Sequence, residues 1–161
     1  RRLTLLASNI DGAIATVFRQ VAMWCFEDRC HTARRTEGEL SVDAINSHWM
    51  ATQRELFGDT VDATGYDSWW SYIHHFVHVP GYVYAYAFGQ LLAMSVYDRY
   101  TQVGPSFVPK YEAMLGAGGS RSPEALAAMV DCDLADAGFW SAGIGLIDRQ
   151  LQAAEAVAAT L

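Results

Sequence analysis

Histidine and tyrosine side chains are concentrated in one short stretch of this 161-residue chain. Three of the five histidines lie within residues 74–78, and three tyrosines follow within residues 82–86. Imidazole and phenol groups both donate and accept hydrogen bonds, and imidazole also titrates near neutral pH. Groups of this kind that converge on one cavity are suited to stabilising a developing oxyanion, not to attacking a carbonyl. The stretch is therefore the first candidate for a functional site.

Helical spacing decides which of the tyrosines could act together. Tyr82 and Tyr86 are four residues apart, so on a helix their hydroxyls would point from one face. Tyr84 would lie on the opposite side and is expected in the core. A packing role stays open as the alternative, because the tyrosines of a buried helix usually bond their hydroxyls to carbonyl groups.

A metal site formed by this stretch alone is not expected. His74 and His78 have an HxxxH spacing that could chelate a metal ion on a helix. However, Pro80 disfavours helical geometry at the residue before it, and no neighbouring carboxylate completes a ligand set. The Cys30-His31 pair is also set aside, because adjacent helical residues do not face each other. Cys30 is predicted to be a structural cysteine.

The elements that position these residues are predicted to be helices. Apolar residues that recur every three or four positions predict a first long helix from about Thr4 to His31. Ser41 is expected to cap a second helix that ends before Gly58. Asp67 and Ser68 are expected to cap a short turn.

The second half of the chain also has helical signals throughout. Pro80 suits the first position of a helix, and the apolar residues from 81 to about 102 predict a central helix that is buried on nearly every face. Ser106 and Ser122 each open a further short helix, and Asp136 caps a last long one. Period-two alternation occurs only in the tyrosine run, so the sequence predicts an all-α fold.

Length and charge limit the class of protein further. The length fits one domain over residues 1–161, and 52% hydrophobic residues exclude a disordered chain. A net charge of −7 argues against nucleic acid or an anionic membrane as partner. Three cysteines make no disulfide framework, and no apolar run reaches the length of a membrane span. The expected location is the cytoplasm.

Seven stretches along the chain are informative as an ordered set. They are residues 14–20, 52–58, 69–73, 75–76, 82–92, 107–111 and 117–124. Together they resemble the C-terminal part of the oligoendopeptidase F group of zinc peptidases, which are relatives of thimet oligopeptidase. The resemblance covers nearly the whole chain and implies a mostly helical metallopeptidase catalytic domain that hydrolyses short peptides.

One expected motif of that family is missing. These enzymes bind zinc through the two His of an HExxH helix and a later Glu, with the HExxH Glu as general base, but no HExxH occurs in this sequence. The resemblance therefore implies that residues 1–161 are the C-terminal helical part of the domain and that the partner is the N-terminal part with the zinc ligands. Zinc would be the cofactor of the complete enzyme, and this chain alone would bind none and be inactive.

The resemblance also assigns roles to the histidine and tyrosine residues. By position, His75 matches the His of the family's Ile-Pro-His-Phe stretch, and Tyr82 matches the first Tyr of its Tyr-Val-Tyr stretch. His75, Tyr82 and Tyr86 would be the catalytic, oxyanion-stabilising residues. His78 and Tyr84 would bind substrate in the cleft wall.

Two positions depart from the family pattern. His74 stands where the family usually has Pro, and Gly81 stands where it often has Phe. Neither change removes a hydrogen-bond donor, but both affect the local backbone.

Two expectations about partners remain. A chain without its N-terminal half should expose an apolar face, through which it could form homo-oligomers. The alternative from another functional class is a non-catalytic all-α binding or scaffold module, which would leave His75 and Tyr82 buried and mutually satisfied.

Overall fold

All regular elements in the computed structural model, which describes residues 1–160, are helical. The prediction of an all-α fold is confirmed, because 76% of the chain is helical and the described residues form no strand. The α-helices are α1 Arg2–Ala13, α2 Arg19–Glu37, α3 Val42–Phe57, α4 His74–His78, α5 Tyr84–Val103, α6 Val108–Ala117, α7 Pro123–Ala128 and α8 Ala137–Ala158. A π-helical segment covers Ile14–Phe18, and 3₁₀ turns cover Trp69–Tyr72 and Pro105–Phe107.

Contacts between Cα atoms divide the chain into two compact units. Ala13–Phe88 form one unit, which we call the histidine unit because all five histidines lie in it. Arg1–Gly12 and Gly89–Leu161 form the other, which we call the flanking unit. None of the described helices is long and apolar enough to span a lipid bilayer.

Several of the predicted helix ends are confirmed. Ser41 caps α3, since its Oγ accepts a hydrogen bond of 3.2 Å from the Ala44 N–H, and the helix ends before Gly58. Ser122 caps α7, and Asp136 caps α8 with a 2.8 Å bond from the Gly138 N–H. These caps satisfy backbone donors that have no partner inside the helix.

Three boundary predictions are wrong. The first long helical segment does not end at His31 but continues to Glu37. Ser68 precedes the 3₁₀ turn at Trp69 without capping it through its side chain. Ser106 lies inside a 3₁₀ turn and does not open a helix.

The predicted start and burial of α5 are also wrong. Pro80 is not its first residue, because Gly81 has a φ of +75° and the helix begins only at Tyr84. Tyr84 and Tyr97 are each 54% exposed, so α5 is not buried on nearly every face. Apolar residues on every face of a helix show that all its faces can be buried. However, the hydroxyl of tyrosine allows this side chain to remain exposed to water.

The core of the histidine unit is built around one tryptophan. Trp49 is fully buried, its indole N–H donates a 2.9 Å bond to the Tyr66 carbonyl, and its ring meets Phe26 edge to face at 5.3 Å. The buried residues that complete this core are Met23, Ile73 and Val83. Burial of these apolar side chains is the main term that stabilises the unit.

The core of the flanking unit is separate. Its buried residues are Val96, Phe107, Ala127, Val130, Cys132 and Phe139. Ser95, also buried, donates a 2.6 Å bond from its hydroxyl to the Phe139 carbonyl and so connects α5 with α8.

Candidate active site

His75, on the short helix α4, is held in place by its apolar neighbours in the chain. Ile73, just before the helix, is buried in the core of the histidine unit. Phe76 packs against the same core, with its ring centroid 5.0 Å from that of Phe26. Because these neighbours anchor the backbone on both sides, the half-buried His75 is held at the edge of the core.

Tyr82 is positioned in the same way, at the turn before α5. Val83, its next neighbour, is fully buried in the core. Gly81, before it, has a positive φ of +75°, a conformation that residues with a side chain rarely adopt. Tyr82 itself is 47% exposed.

His75, Tyr82 and Tyr86 meet in one group, which we call the His–Tyr cluster. The Nε2 atom of His75 lies 2.8 Å from the hydroxyl of Tyr86. The imidazole is parallel to the Tyr82 ring within 3°, at a centroid distance of 6.2 Å. The two tyrosine rings meet edge to face at 5.5 Å. Tyr82 and Tyr86 therefore lie together, although Tyr82 precedes the helix and is not on its face.

The bond between His75 and Tyr86 allows two tautomers. In one of them Nε2–H donates to the Tyr86 oxygen, which leaves the tyrosine O–H proton free for an external acceptor. A hydroxyl that already accepts a hydrogen bond is a better donor, because linked bonds polarise one another. The cluster can thus offer phenol donors to an anionic oxygen at its exposed side.

The two residues predicted to bind substrate are placed differently. Tyr84 takes no part in the ring contacts of the cluster and is 54% exposed, so its expected place in the core is wrong. His78 is exposed at the end of α4, and its ring lies 4.5 Å from that of His74. Neither residue belongs to the His–Tyr cluster.

The surroundings of Cys30 agree with the structural role predicted for it. The thiol packs against the core of the histidine unit. Burial raises the pKa of Cys30 from its ordinary 9.0 to about 11. The group therefore stays a protonated thiol at neutral pH, whereas a nucleophilic cysteine needs the thiolate.

Glu27 is a residue near the cluster that the sequence analysis missed as a candidate. It lies on α2, is only 5% exposed, and its Oε1 accepts a 2.7 Å hydrogen bond from the Gly81 N–H. A spacing of four residues from the buried Met23 places it on the apolar face, and this signal could have found it.

The described residues do not fit a zinc site. No group of three or more His, Cys, Asp or Glu side chains among residues 1–160 is placed to hold a metal ion. His74 and His78 share α4 but have no third ligand there, and Val79 is outside the helix, as expected from Pro80. A protein zinc site needs at least three such ligands.

Comparison with known families shows which family this helical chain belongs to. The chain matches the model of peptidase family M3 over residues 2–146. It therefore belongs to peptidase family M3, whose members are zinc-dependent metallopeptidases. Comparison with curated proteins finds no match, and comparison with solved structures finds none either.

Proposed function

We propose that this chain forms a wall of the substrate cleft in a zinc oligoendopeptidase related to oligoendopeptidase F and thimet oligopeptidase. Its substrates are short peptides. The observation that carries the proposal is the His–Tyr cluster, in which an imidazole is hydrogen-bonded to one phenol and stacked beside another. The family membership supports peptide hydrolysis as the reaction.

The role of the cluster in this proposal is to stabilise negative charge. When the scissile carbonyl becomes tetrahedral, its oxygen gains charge that fixed donors can bind more strongly than they bind the peptide. Tyr82 and Tyr86 donate their hydroxyl protons to that oxygen. His75 orients Tyr86 through their 2.8 Å bond. Tyr84 and His78, both exposed, contact the peptide further along the cleft.

The zinc of the complete enzyme is held by residues outside this chain. Two observations support this part of the proposal: the sequence contains no HExxH, and the described side chains form no group of three ligands. The 161-residue chain is then inactive without the segment that carries the ligands.

The half-exposed cluster favours this function over a scaffold role. A scaffold module would leave His75 and Tyr82 buried and mutually satisfied. Tyr82 is 47% exposed, so its side chain is not buried as that alternative requires.

The test is the variant Tyr82→Phe in the complete enzyme, the protein that joins this chain to its zinc-binding segment. Loss of one oxyanion donor should lower kcat about 100-fold, while KM changes less than about twofold, because the bond forms mainly in the transition state. Tyr72→Phe is the matched control, since Tyr72 is a more exposed tyrosine of the same unit outside the cluster.

A change confined to KM would assign Tyr82 to binding of the peptide. An unchanged kcat and KM would refute the proposed role of the cluster.

An exposed apolar stripe supports the expectation of a partner. On the helical segment of residues 14–24, Ile14, Phe18, Val21 and Trp24 are all exposed and recur every three or four residues. Such a stripe is the kind of surface that another polypeptide covers. We expect the isolated chain to self-associate, and light scattering should show a mass above 17.7 kDa that falls when Trp24 is changed to Gln.

A further inference from the structure

Glu27 forms a hydrogen bond between two parts of the histidine unit that are far apart in the chain. Its carboxylate bonds the Gly81 N–H, a group 54 residues later in the chain, at 2.7 Å. A buried carboxylate is costly unless it is hydrogen-bonded, and a bond to a charged acceptor is stronger than a neutral one. This hydrogen bond therefore holds the Gly81 backbone at a fixed distance from α2.

The bonded N–H stands next to Tyr82 in the chain. Gly81 is restricted by the bond on its N–H and by its φ of +75°, while Val83 is restricted by burial in the core. The Tyr82 side chain is attached to the backbone between these two restricted residues. Its parallel arrangement with His75 thus depends on where the Gly81 backbone is held.

We propose that Glu27 is a positioning residue for the His–Tyr cluster. It holds the Gly81–Tyr82 backbone so that the Tyr82 phenol stays parallel to His75 and aimed at the substrate oxygen. This inference rests on the proposed function for its catalytic meaning, but the geometric part can be tested without any activity.

The second carboxylate oxygen gives a way to separate positioning from stability. Glu27 Oε2 is buried and has no hydrogen-bond partner among the described residues. Glu27→Gln retains an oxygen that can accept a hydrogen bond from the Gly81 N–H. It replaces the other oxygen by an amide NH₂ group, for which the described residues offer no acceptor. Its folding stability can therefore fall while the contact with Gly81 persists.

The experiment uses nuclear magnetic resonance on the 161-residue chain. In Glu27→Leu, the Gly81 amide should exchange with solvent about tenfold faster or more, as expected for the loss of a bond to a charged acceptor. The nuclear Overhauser effects between the rings of His75 and Tyr82 should weaken. Glu27→Gln should retain both signals. The matched control Asp28→Leu removes the neighbouring exposed carboxylate and should change neither.

A second variant carries the test if Glu27→Leu does not fold. Glu27→Asp keeps the charge but shortens the side chain by one methylene, so it should also free the Gly81 amide. The Trp49 indole N–H, bonded to Tyr66, reports whether the core remains intact.

Two results would overturn the inference. One is an unchanged Gly81 exchange rate and unchanged ring contacts in folded Glu27→Leu or Glu27→Asp. The other is a Glu27→Gln variant that loses these signals as fully as Glu27→Leu does, since the acceptor oxygen would then not matter.

Activity of the complete enzyme separates the two proposals. Glu27→Asp should lower kcat more than it raises KM if the cluster is catalytic. If Tyr82→Phe leaves kcat unchanged, the proposed function fails, whereas the exchange rate of Gly81 still decides whether Glu27 positions Tyr82.

Discussion

Two buried carboxylates, one in each unit, have different surroundings. In the flanking unit both oxygens of Asp98 are bonded to side chains, one to Arg149 on α8 and the other to Gln102 at 2.7 Å. In the histidine unit Glu27 bonds a backbone N–H with one oxygen and leaves the other without a partner among the described residues. Asp98 is fully satisfied, and Glu27 is only partly satisfied.

Under the proposed function, this difference separates a structural carboxylate from one that positions a residue of the site. Asp98 ties α5 and α8 together through its bond with Arg149. Glu27 fixes a turn next to Tyr82, the most exposed member of the His–Tyr cluster. Incomplete satisfaction of a buried polar group costs stability, and proteins tolerate this cost mostly near functional sites.

The largest effect on folding is expected at Gly143, where α8 lies tightly against α5 in the flanking unit. A Cβ atom on Gly143 would lie 2.8 Å from Ser95 Oγ and 3.1 Å from the Leu91 carbonyl oxygen. Gly143→Ala should therefore lower the free energy of unfolding by about 2 kcal/mol, measured by urea denaturation. Gly145→Ala is the control on the same helix, where the nearest atom is the flexible end of Arg149 at 3.5 Å.

The control should be neutral or stabilising, because alanine favours helix over glycine. If both variants lose the same free energy of unfolding, the close contact of Gly143 with α5 is not the cause of the loss.

A smaller loss of stability is expected at Gly81 in the histidine unit, where a substitution is opposed by the backbone conformation and not by lack of space. A Cβ atom on Gly81 would meet nothing within 4 Å, but the φ of +75° is strained for alanine. Gly81→Ala should cost about 1 kcal/mol of unfolding free energy. Gly65→Ala, at a φ of +74° and also without close neighbours, should cost a similar amount.

Only the variant at Gly81 should also disturb the ring contacts between His75 and Tyr82. Loss of those contacts in Gly65→Ala would mean that general loosening of the unit, and not the turn at Gly81, moves the cluster.

The features that the sequence could predict are those that depend on residues close together in the chain. Caps such as Ser41 and Asp136 were predictable because the side chain that forms the cap is next to the helix it begins. The all-α class was predictable from the spacing of apolar residues. The start of α5 was not, because the pattern of apolar residues continues through Gly81 while the backbone conformation there does not.

The site was predictable in its residue types and less so in its geometry. His75, Tyr82 and Tyr86 could be named from a resemblance, yet their proximity depends on core contacts of Ile73, Phe76 and Val83. Glu27 could not be linked to Gly81 from the sequence, since nothing local connects residues 54 positions apart. The roles assigned to the cluster remain predictions.

The smallest effect concerns ionisation of a single thiol. With Cys25 changed to Ser and Cys132 to Ala, the rate of alkylation by iodoacetamide, followed by mass spectrometry at increasing pH, should report the ionisation of Cys30 alone. Its midpoint should lie near pH 11 in the folded chain, compared with the ordinary 9.0, because burial disfavours the thiolate. The unfolded chain loses this proton first, so the contribution to stability is complete below pH 9.0 and is lost as the pH rises through about 11.

Urea denaturation across that range would check the sign of the change in stability. A midpoint at or below 9.0 would contradict the burial of Cys30 against the core.

The most direct test of the central claim compares zinc content and peptide hydrolysis in the isolated 161-residue chain and in the complete enzyme. We predict that mass spectrometry finds no stoichiometric zinc on the dialysed chain and that a fluorogenic peptide is not cleaved. The complete enzyme should hold one zinc per molecule and cleave the peptide. One tightly bound zinc on the isolated chain, together with hydrolysis that Tyr82→Phe leaves unchanged, would contradict the account.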